Sequence, residues 1–175
     1  MVEFRAMANS LPTASRPRTP PAGHDHEHCI ADALAKAETI CERHGARLTP
    51  MRRRVLELVW QSHRPVGAYD LLDLLNARGR RHAPIAVYRA LDFLIERGLV
   101  HRLASRNAFI GCSHPAEPHT AQFLICERCH AVTELEDKAI AGAIRAGASH
   151  LGFTLAAHVV EAQGVCATCR GQVLP

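Results

Sequence analysis

Pro84-Ile85-Ala86-Val87-Tyr88-Arg89-Ala90-Leu91-Asp92-Phe93-Leu94-Ile95-Glu96-Arg97-Gly98, continuing Leu99-Val100-His101-Arg102-Leu103 and, after a short break, Ala108-Phe109-Ile110-Gly111-Cys112, is the stretch that decides the fold. Proline is preferred at the first position of a helix, and Val87, Leu91, Leu94 and Ile95 then recur at helical spacing until Gly98 stops the run. The residues that follow alternate like two strands, with a turn at Arg106-Asn107. A helix followed directly by a hairpin is one half of a winged helix-turn-helix.

Reading upstream completes that unit. Thr49-Pro50 is a capping residue followed by proline, and Val55, Leu58 and Val59 supply the apolar stripe of the helix it opens. Residues 68–75 form a short helix that ends near Gly79, and Ile30, Ala33, Leu34, Ala37 and Ile40 mark another that runs to about His44 before Gly45. Residues 1–29 carry Pro12, Pro17, Pro20 and Pro21 among small polar residues and are expected to be disordered. Their end, His24-Asp25-His26-Glu27-His28-Cys29, is rich in metal ligands, but a flexible segment loses entropy on ordering, which makes it a weak, opportunistic site.

Downstream the pattern changes. Residues 121–125 and 131–135 read as strands, 137–151 as a helix through Ile140, Ile144 and Leu151 with Gly152 as its stop, and Phe153 to Ala162 as a further strand. The expected class is therefore α+β: a winged-helix domain over residues 30–111 and a small α/β domain over 112–175. About 60 residues lie near the lower limit for an independent core, so dimerisation or a structural metal is needed to complete the second domain.

The chain has 175 residues, which excludes a large barrel enzyme, and no apolar run approaches the ~18–20 residues of a membrane helix. The first twenty residues lack the apolar core of a secretory signal, so a cytoplasmic location is expected, with thiols reduced. The net charge of +4 is divided unevenly: residues 1–111 hold 17 Arg/Lys against 11 Asp/Glu, and residues 112–175 hold 4 against 6. A basic first half suits a polyanion such as DNA.

Seven cysteines in such a chain point to metal or redox chemistry. Cys126-x-x-Cys129 and Cys166-x-x-Cys169 are two knuckles whose four thiolates can surround one Zn²⁺ at ~2.3 Å, a closed and therefore structural site. They lack the helix-opening context of a thioredoxin-type redox pair. Cys41 reads as a packing residue. A second set, His101, Cys112, His119 and Glu134, matches the donor chemistry of Zn²⁺, although spacing alone does not bring the four together. His114 competes with His119, and Glu136 shares a strand face with Glu134. A hydrolytic zinc enzyme would need an open metal position, commonly on a helical H-E-x-x-H, which is absent, so no enzymatic activity and no small organic substrate are expected.

Arg47-Leu48-Thr49-Pro50-Met51-Arg52, Ala68-Tyr69-Asp70-Leu71-Leu72, Val87-Tyr88-Arg89-Ala90-Leu91 and Cys126-x-x-Cys129 follow the order and spacing of the ferric uptake regulator family. Tyr88-Arg89-Ala90-Leu91-Asp92-Phe93-Leu94 and Glu161-Ala162-x-Gly164-x-Cys166-x-x-Cys169 most closely resemble its zinc uptake regulator branch, and the likeness spans about residues 32–170. The resemblance implies a homodimeric, metal-responsive repressor of zinc homeostasis genes with two zinc ions per subunit. The cysteine knuckles would be the structural site, and His101, Cys112, His119 and Glu134 the sensor site across a hinge near Gly111. Tyr88 and Arg89 match recognition-helix positions; Arg89 is the candidate for guanine. Arg52, Arg53 and Arg54 are candidates for phosphate, with a solvated helix face as the alternative. Pro118 and Val165 stand where iron-type members commonly carry histidine, which counts against the iron and peroxide readings; a same-family response to iron, nickel or manganese, or a thiol redox switch, is the alternative.

Overall fold

In the computed structural model, which describes residues 26–61, 64–77, 79, 81–115, 120–155 and 159–171, local signals set most of the helices. The Thr49 side chain accepts the Arg52 N–H at the start of α2 (Pro50–Trp60). Asp70 accepts the Gly67 N–H at 3.1 Å and so closes the start of α3 (Ala68–Asn76). Pro84 opens α4 (Pro84–Glu96), and Gly98, at φ +66°, releases the chain from it. The first helix, α1 (His26–Arg43), begins four residues before the expected Ile30, so the last residues of the segment expected to be disordered are helical. Glu27 lies in its first turn, where unpaired N–H groups favour a negative charge. The rest of that tail, residues 1–25, lies outside the described residues.

The first sheet is antiparallel in the order β1-β3-β2, from Val66–Gly67, Ala108–Gly111 and Val100–Leu103. A 3-10 turn (Ala104–Arg106) and Asn107, at φ +46°, join β2 to β3. The two-residue β1 is too short to carry an alternating pattern and leaves no signal in the sequence. The second sheet has the order β5-β4-β6, with β4 (Ala121–Cys126) antiparallel to β5 (Val132–Leu135) and parallel to β6 (Val159–Gly164). Helix α5 (Lys138–His150) forms the connection, capped by Asp137. The last strand lies later than the expected Phe153–Ala162. Pairing with β4 sets its limits, Ala121 opposite Val159 and Cys126 opposite Gly164, and Phe153 to Leu155 precede that ladder in exposed, non-strand chain. Among the described residues no helix is long and apolar enough to cross a membrane.

Two cores result. Leu34, Ala37, Ile40, Val55, Val59, Leu71, Leu75, Val87, Leu91 and Leu94 pack the helices around Val100 and Phe109 of the hairpin. Ala121, Phe123, Ile125 and Val132 form the other core, together with Leu103, and Ile110 packs on it. Successive strand residues point to opposite faces, so Phe109 serves the helices while Ile110 serves the second sheet. The wing hairpin thus belongs to both halves of the chain.

Candidate metal centres and nucleic-acid interface

The parallel pairing of β4 with β6 places both cysteine knuckles at one end of the second sheet. Cys126 ends β4, and His130, at φ +60°, lets the chain turn back with its N–H on the Cys126 carbonyl at 3.0 Å. Glu127 N–H bonds Gly164 O at 2.8 Å, which carries the β4–β6 pairing into the knuckles, and Arg128 donates to Cys169 O at 2.9 Å. The four sulfur atoms all lie within 4.8 Å of one another, with Cys129 and Cys166 3.7 Å apart. A tetrahedron with Zn–S bonds of ~2.3 Å has edges of about 3.8 Å, so the donor set and the spacing both fit zinc. The backbone N–H groups of Cys129 and Cys166 donate to Cys126 and, against the opposing effect of burial, draw its thiol down to about 5. Cys169, hydrogen-bonded to the Cys129 and Cys166 thiols, is pushed up to about 12. Ionisation therefore belongs to the cluster as a set.

The second candidate centre lies at the seam between the sheets. His101 sits opposite Ile110 in the hairpin, on the side of the second core, and its ring meets that of Phe123 edge-on at 5.6 Å. Phe123 is the cross-strand partner of Glu134. Cys112 is buried, its N–H on Leu99 O at 3.0 Å, and the next residue, Ser113, donates its hydroxyl to Glu134 Oε2 at 2.6 Å. His101 and Glu134 both neighbour Phe123, and Cys112 precedes the serine that bonds Glu134, but the ligand atoms of His101, Cys112 and Glu134 do not all fall within 4.8 Å of one another; the fourth expected ligand, His119, lies outside the described residues. Among the described residues the cysteine quartet is the set of His, Cys, Asp or Glu whose ligand atoms all fall within 4.8 Å. Of the competing residues, His114 Nδ1 pairs with Glu136 at 2.8 Å. Spacing gave no sign of Ser113 or Phe123. Gly111 is tightly placed: a side-chain carbon there would collide with the indole of Trp60 at the end of α2.

On α4 the buried stripe of Val87, Ala90, Leu91, Phe93 and Leu94 leaves Ile85, Tyr88, Arg89 and Asp92 facing outward. The three arginines of α2 have intramolecular partners. Arg52 stacks 3.4 Å from the centre of the Phe93 ring and donates to Arg47 O at 2.7 Å. Arg53 pairs with Glu38 and Glu57, and Arg54 with Glu57 at 2.8 Å. Arg53 is exposed, whereas Arg52 and Arg54 are half-buried. Cys41, 2% exposed, is a packing residue of the first core, its thiol pushed up by burial against Arg97 and Arg52.

With this geometry established, the chain can be compared with known proteins. A profile of the Ferric uptake regulator family matches residues 43–163. The "Zinc uptake regulation protein" of Escherichia coli (strain K12) is 42% identical over 139 residues, 79% of this chain and 81% of that protein, and the protein of the same description from Shigella flexneri matches equally. Among solved structures, a zinc uptake regulator complexed with zinc and DNA is similar at a TM-score of 0.76, with 41% identity over 81% of this chain and 95% of the other. Holo XcZur is similar at 0.72, with 44% identity over 80% of this chain and 98% of the other. The α+β architecture agrees with both. With a match across most of the chain and 42% identity over about four-fifths of the relatives, the chain belongs to the ferric uptake regulator family.

Proposed function

We infer that this chain is a zinc-responsive DNA-binding repressor of genes for zinc uptake. It acts in the cytoplasm as a homodimer with two zinc ions per subunit and has no catalytic role. The observation that carries this reading is the gathering of four cysteine sulfurs within 4.8 Å at the end of the sheet that shares the wing hairpin, in a chain more than 40% identical to zinc uptake regulators. His101, Cys112 and Glu134, with His119, are the proposed sensor ligands; Cys126, Cys129, Cys166 and Cys169 are the proposed structural ligands. Bound zinc would supply a cross-link between hairpin and sheet. A ligand shifts a conformational equilibrium only by its differential affinity for the two states, and ligands drawn from both halves supply that difference.

Tyr88 and Arg89 stand on the outward stripe of α4 and are the proposed contacts to bases, Arg89 through the bidentate geometry that suits guanine. In a symmetric dimer the two α4 helices must reach major grooves about 34–36 Å apart, so fixing the hairpin fixes their spacing. Support for a second copy comes from β6, an edge strand, and from the exposed Leu124, Leu151, Phe153 and Val159 on the same half of the chain.

The test is binding of the full-length protein to a duplex selected from random DNA by the zinc-loaded protein, followed by anisotropy at buffered free Zn²⁺, Fe²⁺, Ni²⁺ and Mn²⁺. Buffering matters because raw affinities follow the Irving–Williams order. Tightening at the lowest free concentrations with zinc is expected. DNA binding indifferent to zinc, or a stronger response to iron or manganese at their buffered levels, overturns the reading.

A further inference from the structure

The motif Glu161-Ala162-x-Gly164 leads into the second knuckle, and the metal chemistry above leaves its glutamate without a role. Glu161 lies on β6, opposite Phe123 of β4. Its carboxylate reaches out of the second sheet to the turn of the wing hairpin, where Oε1 accepts the Ala104 N–H at 2.7 Å and Oε2 accepts the Ser105 N–H at 3.1 Å. These two donors open the 3-10 turn, where N–H groups have no partner within the turn itself, and an anion there is held by charge-assisted bonds. Two neighbouring contacts reinforce the attachment. Arg106 Nη2 donates to the Cys126 carbonyl at 3.3 Å, and Leu103, fully buried, packs with Phe123 and Ile125. The far end of the hairpin holds His101 and Cys112, about one strand length away.

We propose that Glu161 is a positioning residue for DNA recognition: its carboxylate fastens the turn of the wing to the C-terminal sheet, giving the hairpin a second, metal-independent attachment opposite the sensor ligands. With the turn held by Glu161, metal at the other end needs to restrict only the remaining freedom of the hairpin. Without it, the filled sensor site holds one end while the turn swings, and α4 loses its fixed relation to the partner copy. The knuckles take part indirectly, because they clamp the ends of β4 and β6 that present Cys126 O and Glu161.

This inference rests on the DNA-binding reading, and the test separates the two. In the full-length dimer, amide hydrogen exchange is read at Ala104 and Ser105, and DNA affinity is measured at saturating zinc. Glu161→Ala should speed exchange at both amides at least about tenfold and weaken DNA binding about three- to tenfold, with zinc content unchanged. Glu161→Gln, which keeps one acceptor oxygen, should lie between. Ala104→Pro approaches the contact from the other side. It deletes the 2.7 Å donor at the first position of the 3-10 turn, and Leu103 before it is already extended, as proline requires. It also covers the case in which Glu161→Ala does not fold. Unchanged exchange at Ala104 and Ser105 in Glu161→Ala overturns the docking. Faster exchange with unchanged DNA affinity overturns the positioning role. A wild-type protein that ignores DNA in the presence of zinc defeats the functional reading instead, while the exchange data still decide whether Glu161 docks the turn.

Discussion

Cys112 and Glu161 mark the two ends of the hairpin at which single side chains matter most. Cys112 is buried beside the Ser113–Glu134 bond, so Cys112→Ser should abolish zinc-stimulated DNA binding while the cysteine cluster keeps its zinc and the dimer persists. Anisotropy with metal analysis checks this, and unfolding of the variant would mean that a structural site has been mistaken for a sensor. Glu161 carries a pH signature. Burial pushes its carboxyl up, but hydrogen bonds from Ser105 and from the Ala104 and Ser105 N–H groups outweigh burial and hold it below the ordinary 4.5. For a carboxyl depressed in the folded state, the stabilisation is complete above the unfolded value and lost as pH falls through the folded one. The docking should therefore be constant from neutral pH to about 4.5 and fail only below it. A carbon-13 titration of the Glu161 carboxyl should give a midpoint below those of exposed glutamates, moving back up in Ala104→Pro. Gly111→Ala should destabilise the fold by about 1–3 kcal/mol in urea denaturation, since its new carbon meets the Trp60 ring.

At the level of elements, α2, α4 and α5 were legible because local start and stop signals act within one turn, Thr49-Pro50, Pro84, Gly98 and Asp137, whereas α1 has no such opening signal and starts before Ile30. Strands depend on partners distant in sequence. Phe153 and Leu155 give the chain a strand-like start ahead of the last strand, whereas hydrogen bonding to β4 determines the actual span. The same dependence hid β1, two residues recruited by β3. The hairpin is the element with the largest unforeseen role. Leu103 belongs to the wing by sequence yet lies in the second core, so Leu103→Ala should cost about 2–5 kcal/mol and loosen the C-terminal sheet as well as the wing. Hydrogen exchange across β4 would show it; a loss of protection confined to the wing would contradict the assignment.

For the whole molecule, the two candidate centres predict two separate losses under increasing chelator. Of the proposed sensor ligands, His101 and Glu134 lie on strands already held by their own pairing, whereas the cysteine knuckles join the ends of β4 and β6, and structural zinc contributes folding free energy outright. The first zinc to leave should abolish DNA binding with little change in secondary structure. The second should unfold the C-terminal sheet. Metal release, anisotropy and far-ultraviolet circular dichroism followed together decide this; simultaneous loss of all three signals would place both ions in structural roles.

By itself the sequence determined the helices, the hairpin, the two knuckles and the family, because capping, periodicity and C-x-x-C spacing act over a few residues and survive without any knowledge of packing. Tertiary structure alone decided which residues meet across the seam: Ser113 with Glu134, His101 with Phe123, and Glu161 with the Ala104–Ser105 turn, 56 and 57 residues away. The physical reason is that such contacts depend on how two sheets stack, a relation set by the shared burial of Leu103, Ile110 and Phe123, which no local pattern encodes.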